Sequence, residues 1–136
     1  MLRRVDAEKW ALLAATVEAG ATGLVLFIQP QWFAWLVFGT EFSEAGNALG
    51  RLAAIALFGL ALATWPAPAA LSRPASSVRA LLIYNVLATI YLLYLGIGGQ
   101  VTGILLWPAT ALHAIFALLL GRTWLAARGT SLSRRV

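Results

Sequence analysis

The stretch SVRALLIYNVLATIYLLYL, residues 77–95, decides the fold class because it is long, apolar and carries a single charge, Arg79, near its start. A transmembrane helix needs about 20 mostly apolar residues. Three other stretches meet this requirement, over residues 7–28, 44–65 and 102–126. The sequence therefore predicts an all-α protein, a four-transmembrane-helix bundle in which residues 1–136 form a single integral membrane domain.

Composition supports this prediction and excludes several classes of function. Of the 136 residues, 61% are hydrophobic and 11% charged, whereas soluble domains carry about 25% charged residues. The outer surface must therefore meet lipid. The chain has no cysteine and one histidine, His113, so thiolate chemistry is excluded and no metal or haem site is expected. The surplus of basic residues is explained by membrane topology, so no nucleic-acid partner is expected.

The basic residues group at one end of the predicted bundle. They flank the first helix, lie in the second connection and follow the fourth helix, as Arg3, Arg4, Lys9, Arg73, Arg79, Arg122, Arg128, Arg134 and Arg135. The other two connections hold only Glu41 and Glu44 as charged residues. By the positive-inside rule this pattern predicts a multi-pass protein of the bacterial inner (cytoplasmic) membrane with both termini cytoplasmic.

The first outer connection, QWFAWLVFG at residues 31–39, is too short to span a membrane and too apolar for water. It is predicted to be a short interfacial helix in the first outer loop. Two roles are open to it, an anchor in the interface or a lid over the bundle, and we favour the anchor.

Each predicted span carries one strong polar residue: Glu18, Arg51, Asn85 and His113. Ionisable groups within a membrane are costly and face the bundle interior. At about 1.5 Å per residue, Glu18, Asn85 and His113 each lie roughly 16 to 18 Å from the outer ends of their helices. Arg51 lies about 10 Å from its outer end, and its long side chain can extend further. A shared polar layer with a Glu18–Arg51 pair is therefore predicted.

Further polar groups share these helical faces at spacings of three or four residues, namely Thr22, Asn47, Thr89 and Thr110. Tyr84 is adjacent to Asn85, and Pro108 is expected to free the carbonyl of Ile104 inside the fourth helix. The candidate ligand-binding residues are Glu18, Arg51, Asn85, His113, Asn47 and Tyr84. The alternative is that these residues only fix the register of the helices.

The first half of the chain resembles the small DoxX-like four-helix membrane proteins of bacteria. The resemblance rests on an apolar helix ending at Pro30, an aromatic loop closing with Phe38-Gly39, and Gly50-Arg51 opening a helix that continues through Leu57-Phe-Gly-Leu60. It implies a four-helix fold and an association with quinone-linked redox complexes, often as a subunit without a redox centre. It transfers no catalytic residue.

Three functions follow as hypotheses. The first is a non-catalytic subunit or binder that presents the polar layer to a lipophilic molecule such as a quinone, an isoprenoid or another lipid. Its partners would be membrane lipids and other membrane subunits or a second copy of the chain. The second is a proton-coupled exporter using Glu18, against which the pairing with Arg51 and the aromatic loop both argue. The third is a lipid-modifying enzyme using His113 and Glu18 for proton transfer.

Overall fold

The computed structural model describes the backbone of residues 2–65 and 74–133, and the side chains of residues 9–65 and 76–126. Its helices are α1 (Leu2–Ile28), α2 (Pro30–Phe33), a π-helix (Ala34–Phe38), α3 (Glu44–Thr64), α4 (Pro74–Ile97) and α5 (Leu106–Ser133). Helices α1, α3, α4 and α5 are long and apolar enough to cross a membrane. The predicted four-helix bundle is confirmed. Arg73, Arg134 and Arg135, used in the topology prediction, lie outside the described residues, as do the side chains of Arg3, Arg4 and Arg128.

Local sequence explains where the spanning helices begin and end. Helix α1 ends at Ile28 because Pro30 has no N–H to continue the hydrogen-bond ladder and opens α2 instead. Helix α3 begins as predicted at Glu44, with the Ser43 hydroxyl accepting the Gly46 N–H at 3.1 Å as an N-cap. Helices α1 and α4 extend beyond the predicted bounds, to Leu2 and over Pro74–Ile97.

Helix α5 begins at Leu106, four residues later than predicted, and runs to Ser133. The delay arises because the preceding segment bonds elsewhere: the Thr102 N–H donates to the Phe38 carbonyl at 3.0 Å, and the Leu105 N–H donates to the Leu36 carbonyl at 2.8 Å. Pro108 therefore lies in the first turn of α5, where backbone N–H groups have no helical acceptor in any case. The Ile104 carbonyl, to which Pro108 has no N–H to donate, therefore lies in the loop before α5 and not inside the helix as predicted.

The four long helices associate as two pairs. Helix α1 packs along α3 and α4 packs along α5, while contacts between the pairs are sparse. Small residues allow the first pair to approach closely: Ala15 and Ala19 are fully buried, and Gly23 faces the backbone of Ala54. Within the described part of the chain, no Cα atom of α3 lies within 8 Å of a Cα atom of α5. The sparse contacts between the two pairs leave room for a cavity between them.

The bundle is tightly packed at the end that carries Lys9, Arg79 and Arg122, here called the basic end. A core of Ala15, Val78, Leu81, Phe116 and Leu120 joins three of the helices there. Next to this core, the buried hydroxyls of Thr16 and Thr64 lie 3.1 Å apart and link α1 to α3. The basic end is thus closed by side-chain packing.

The opposite end is covered by α2 and the π-helix, residues 30–38, here called the lid. Two backbone hydrogen bonds tie the lid to the loop before α5, as described above, and Gly103 of that loop packs directly on the Val37 backbone. A Cβ at Gly103 would overlap the Val37 carbonyl. Gly39 ends the lid with φ +73°, a left-handed conformation that favours glycine. The lid is therefore held in place by backbone contacts.

Candidate functional site

A cavity of about 870 Å³ lies between the two helix pairs and beneath the lid. All four long helices and the lid line it, mostly with aliphatic and aromatic side chains. Five lining residues carry polar side chains: Glu18, Thr22, Tyr84, Tyr91 and His113. A concave apolar pocket with a few convergent polar groups is the usual form of a small-molecule site.

The polar groups are concentrated at the bottom of the cavity. Glu18, Leu60, Tyr84 and His113 are the lining residues furthest from the lid on α1, α3, α4 and α5, and we call these four the floor. The rings of Tyr84 and His113 pack edge to face, with centroids 5.5 Å apart. Three of the six predicted site residues therefore meet at one level of the bundle.

Glu18 has an incomplete set of hydrogen bonds. Its Oε1 accepts a bond from the Thr22 hydroxyl at 2.9 Å, one helical turn away on α1. Its Oε2 is buried and has no hydrogen-bond partner among the described residues. Burying a carboxylate oxygen without a partner costs free energy, and Glu18 also lines the cavity, so its carboxylate marks a place for a ligand group.

His113 is oriented by Asn85, which lies behind it and is fully buried. The Asn85 Nδ2 donates to the Leu81 carbonyl at 2.8 Å, so the amide nitrogen points toward Leu81. The amide oxygen therefore faces His113 Nδ1 at 2.9 Å, and Nδ1 must be the donor of that bond. In neutral His113 the other ring nitrogen, Nε2, then carries a lone pair. Among the described residues, Nε2 has no hydrogen-bond partner.

The histidine tautomer can be measured directly because the chain contains a single histidine. In protein labelled with ¹⁵N-histidine at neutral pH, we expect the NMR spectrum to show Nδ1 protonated and Nε2 unprotonated. In Asn85→Leu we expect this preference to weaken, because the acceptor that holds the Nδ1 proton is removed. A wild-type spectrum with the proton on Nε2 would contradict the orientation described here.

The predicted pair between Glu18 and Arg51 is wrong. Arg51 is exposed on the outside of the bundle, and its Nε donates to the Phe27 carbonyl at 3.3 Å. The physical reason is that α1 ends one residue after Phe27, which leaves that carbonyl without a helical donor. A guanidinium at a helix C-terminus also meets the negative end of the helix dipole. Arg51 therefore serves the end of α1 and does not line the cavity.

Asn47 and two of the predicted threonines also lie away from the cavity. The Asn47 Oδ1 is buried without a partner in the described residues, but the side chain does not line the cavity. Thr89 and Thr110 donate to the carbonyls of Asn85 and Leu106 in their own helices. Of the neighbours predicted from helical spacing, Thr22 is the one that bonds to its partner side chain.

The lid has two different faces. Phe33, Leu36, Val37 and Phe38 line the cavity, while Trp32 and Trp35 are 64% and 66% exposed on the other side. The segment thus covers the bundle, the role that sequence reasoning ranked second, and its tryptophans suit a membrane interface. The spacing of Phe33, Leu36 and Val37 at i, i+3 and i+4 was the available signal for a buried face.

Sequence reasoning also missed the small residues that make room for the cavity. Ala53 and Ala56 on α3, Ala88 on α4 and Ala109 on α5 all line it. Each places little more than a methyl group where a leucine would fill the space. Ala53 and Ala56 are also exposed, as is Tyr91. The cavity is therefore open to the surroundings of the bundle.

Comparison of the chain with protein-family models, with curated proteins and with solved structures finds no match. The geometry of the cavity is therefore the feature that indicates a function. That geometry combines apolar walls, an unpaired carboxylate oxygen and an oriented imidazole in an integral membrane protein.

Proposed function

We propose that this protein is a non-catalytic membrane binder of one lipophilic molecule, held in the cavity with its polar head on the floor. The observation that carries the proposal concerns Glu18: the residue lines a large apolar cavity, and its buried Oε2 has no partner in the described residues. Quinones, isoprenoids and other lipids with a small head are the candidate ligands. The DoxX-like resemblance is consistent with a quinone but does not determine the choice.

The size of the cavity is that of a small-molecule site. Protein interiors are close-packed, and ligand sites for drug-sized molecules measure about 300–1,000 Å³. A volume of about 870 Å³ in this range will be filled in a membrane, by acyl chains or by a dedicated ligand. The alanines that line the cavity leave space unfilled, and this costs packing free energy. A role in fixing helix register alone would not explain that cost.

The protein also has a proposed orientation in the membrane and proposed partners. We propose that the basic end faces the cytoplasm of a bacterial cell, as the distribution of Lys and Arg indicates. The lid would then lie at the outer interface, anchored by Trp32 and Trp35. Bulk lipids are proposed partners, together with other membrane subunits or a second copy, because the described helices expose many large apolar side chains.

The proposal is tested by blocking the cavity. We expect the protein purified in a mild detergent to retain about one lipophilic molecule per chain in native mass spectrometry, and Ala56→Phe to lose it. Ala56 lines the cavity and is exposed, so a phenylalanine there can enter the space without unfolding the helix.

Ala63→Phe is the matched control, since Ala63 lies two turns further along α3, is exposed and does not line the cavity. It should retain the molecule. Equal retention by both variants, or only non-stoichiometric bulk lipid on the wild type, would reject the proposal.

One observation favours a second candidate, the proton-coupled exporter. The main objection was that Arg51 would neutralise Glu18, and the two side chains do not pair. A free carboxylate within a membrane can exchange a proton for a cationic substrate. Proton-driven uptake of a cationic dye into vesicles, lost in Glu18→Gln, would support export. Binding of the dye without transport would support the binding function and reject export.

A further inference from the structure

We infer that the cavity selects ligands whose head donates hydrogen bonds, with an alkylammonium preferred over a neutral hydroxyl, and disfavours heads that only accept them or carry negative charge. This inference rests on the proposed binding function and specifies the chemistry of the same site. It follows from the donor and acceptor character of the floor.

One oxygen of the Glu18 carboxylate, Oε2, lacks a hydrogen-bond donor among the described residues. When ionised, a carboxylate only accepts hydrogen bonds, and its Oε1 already accepts from Thr22. Its Oε2 needs a donor that the described residues do not supply. Charge-assisted hydrogen bonds are roughly twice as strong as neutral ones. An N–H from a cation in the cavity therefore gains the most at the Glu18 carboxylate.

His113 offers a second hydrogen-bond acceptor. Because the Asn85 amide oxygen accepts the hydrogen bond from Nδ1–H, the neutral ring offers Nε2 as a second acceptor at the floor. A head with two or more donor hydrogens, such as an ammonium group, can bond to both Glu18 and His113. A quinone, ketone or ester head would place its own acceptors against these acceptors, so the floor disfavours a quinone among the proposed ligands. Among the described floor residues, only the Tyr84 hydroxyl could donate to such a head.

The cavity also restricts the charge and the size of the ligand head. Within the described part of the chain, no Lys or Arg side chain lines the cavity, so an anionic head would meet Glu18 without a counter-charge. The floor also rests on the packed core of Leu81, Phe116 and their neighbours, which leaves no depth for a large head. Phospholipid head groups are both anionic at phosphate and bulky. The floor therefore suits a small cationic or hydroxylated head on a hydrocarbon body.

The test uses four probes with one twelve-carbon chain: dodecylamine, dodecanol, 2-dodecanone and dodecanoate. Affinities are measured at neutral pH with the full chain in nanodiscs of uncharged lipid, and partition into protein-free nanodiscs is subtracted. An alkylamine is protonated at this pH, as a lysine side chain is. We expect dodecylamine to bind at least tenfold more tightly than the ketone or the carboxylate, with the alcohol in between.

Each outcome has a defined meaning. Equal binding of all four probes would overturn the inference about the head while leaving the binding function intact. Tighter binding of the ketone or the carboxylate than of the amine would also overturn it. Binding of none of the probes above the protein-free background would reject both the inference and the proposed binding function.

Discussion

Glu18→Gln should weaken the binding of dodecylamine at least tenfold and at the same time raise the thermal stability of the ligand-free protein. Binding falls because the amide replaces a charge-assisted acceptor by a neutral one. Stability rises because a neutral amide costs less free energy to bury than a carboxylate does. Opposite effects on binding and on stability are typical of residues retained for function.

Titration in nanodiscs and thermal denaturation followed by size-exclusion chromatography measure the two effects. Glu41→Gln is the matched control, because Glu41 is exposed in the loop before α3 and does not line the cavity; it should change neither quantity. If Glu18→Gln instead lowered the stability and left binding intact, the carboxylate would be a structural group.

Gly103→Ala should give the largest loss of stability of any single methyl addition in the described chain. The added Cβ would overlap the Val37 carbonyl, a backbone atom that cannot rotate away. Accommodating it requires the lid to separate from the loop before α5, which breaks the bonds of Thr102 and Leu105 to the lid. We expect a loss of about 2 kcal/mol or more, in the range that named steric and hydrogen-bond defects produce.

Gly59→Ala provides the comparison, because nothing lies within 4 Å of a Cβ built at Gly59 in α3. Alanine there should be neutral or stabilising by up to about 1 kcal/mol, through its higher helix propensity. Equilibrium unfolding in mixed micelles measures both variants. Equal stability of Gly103→Ala and the wild type would mean that the lid is not fixed by close backbone packing.

The sequence predicted the four spans and half of the candidate site, for a physical reason. Apolar length is a local property, so residues 77–95 identify a membrane helix without any tertiary contact. Glu18, Tyr84 and His113 were found because a membrane forces ionisable and polar groups toward the bundle interior. Helical rise then placed Glu18 and His113 at one depth.

Arg51 shows why the remainder could not be predicted. Whether a long side chain turns inward or along its helix depends on which acceptor is closest. The Phe27 carbonyl is such an acceptor because α1 ends at Ile28, just before Pro30. The cavity itself depends on how far two helix pairs separate, which the alanines permit but do not specify. Both features are set by helix packing, which periodicity along a single chain does not define.

The central claim, that a lipophilic molecule places its head on the floor formed by Glu18, Leu60, Tyr84 and His113, is tested most directly by photo-crosslinking. A dodecylamine carrying a diazirine next to the amine is irradiated with the protein in nanodiscs, and the adducts are located by peptide mass spectrometry. Adducts concentrated around Glu18 and His113, and removed by excess dodecylamine, are the predicted result. Adducts confined to lipid-facing residues such as Leu52 and Leu118, which are 63% and 69% exposed, would contradict the account.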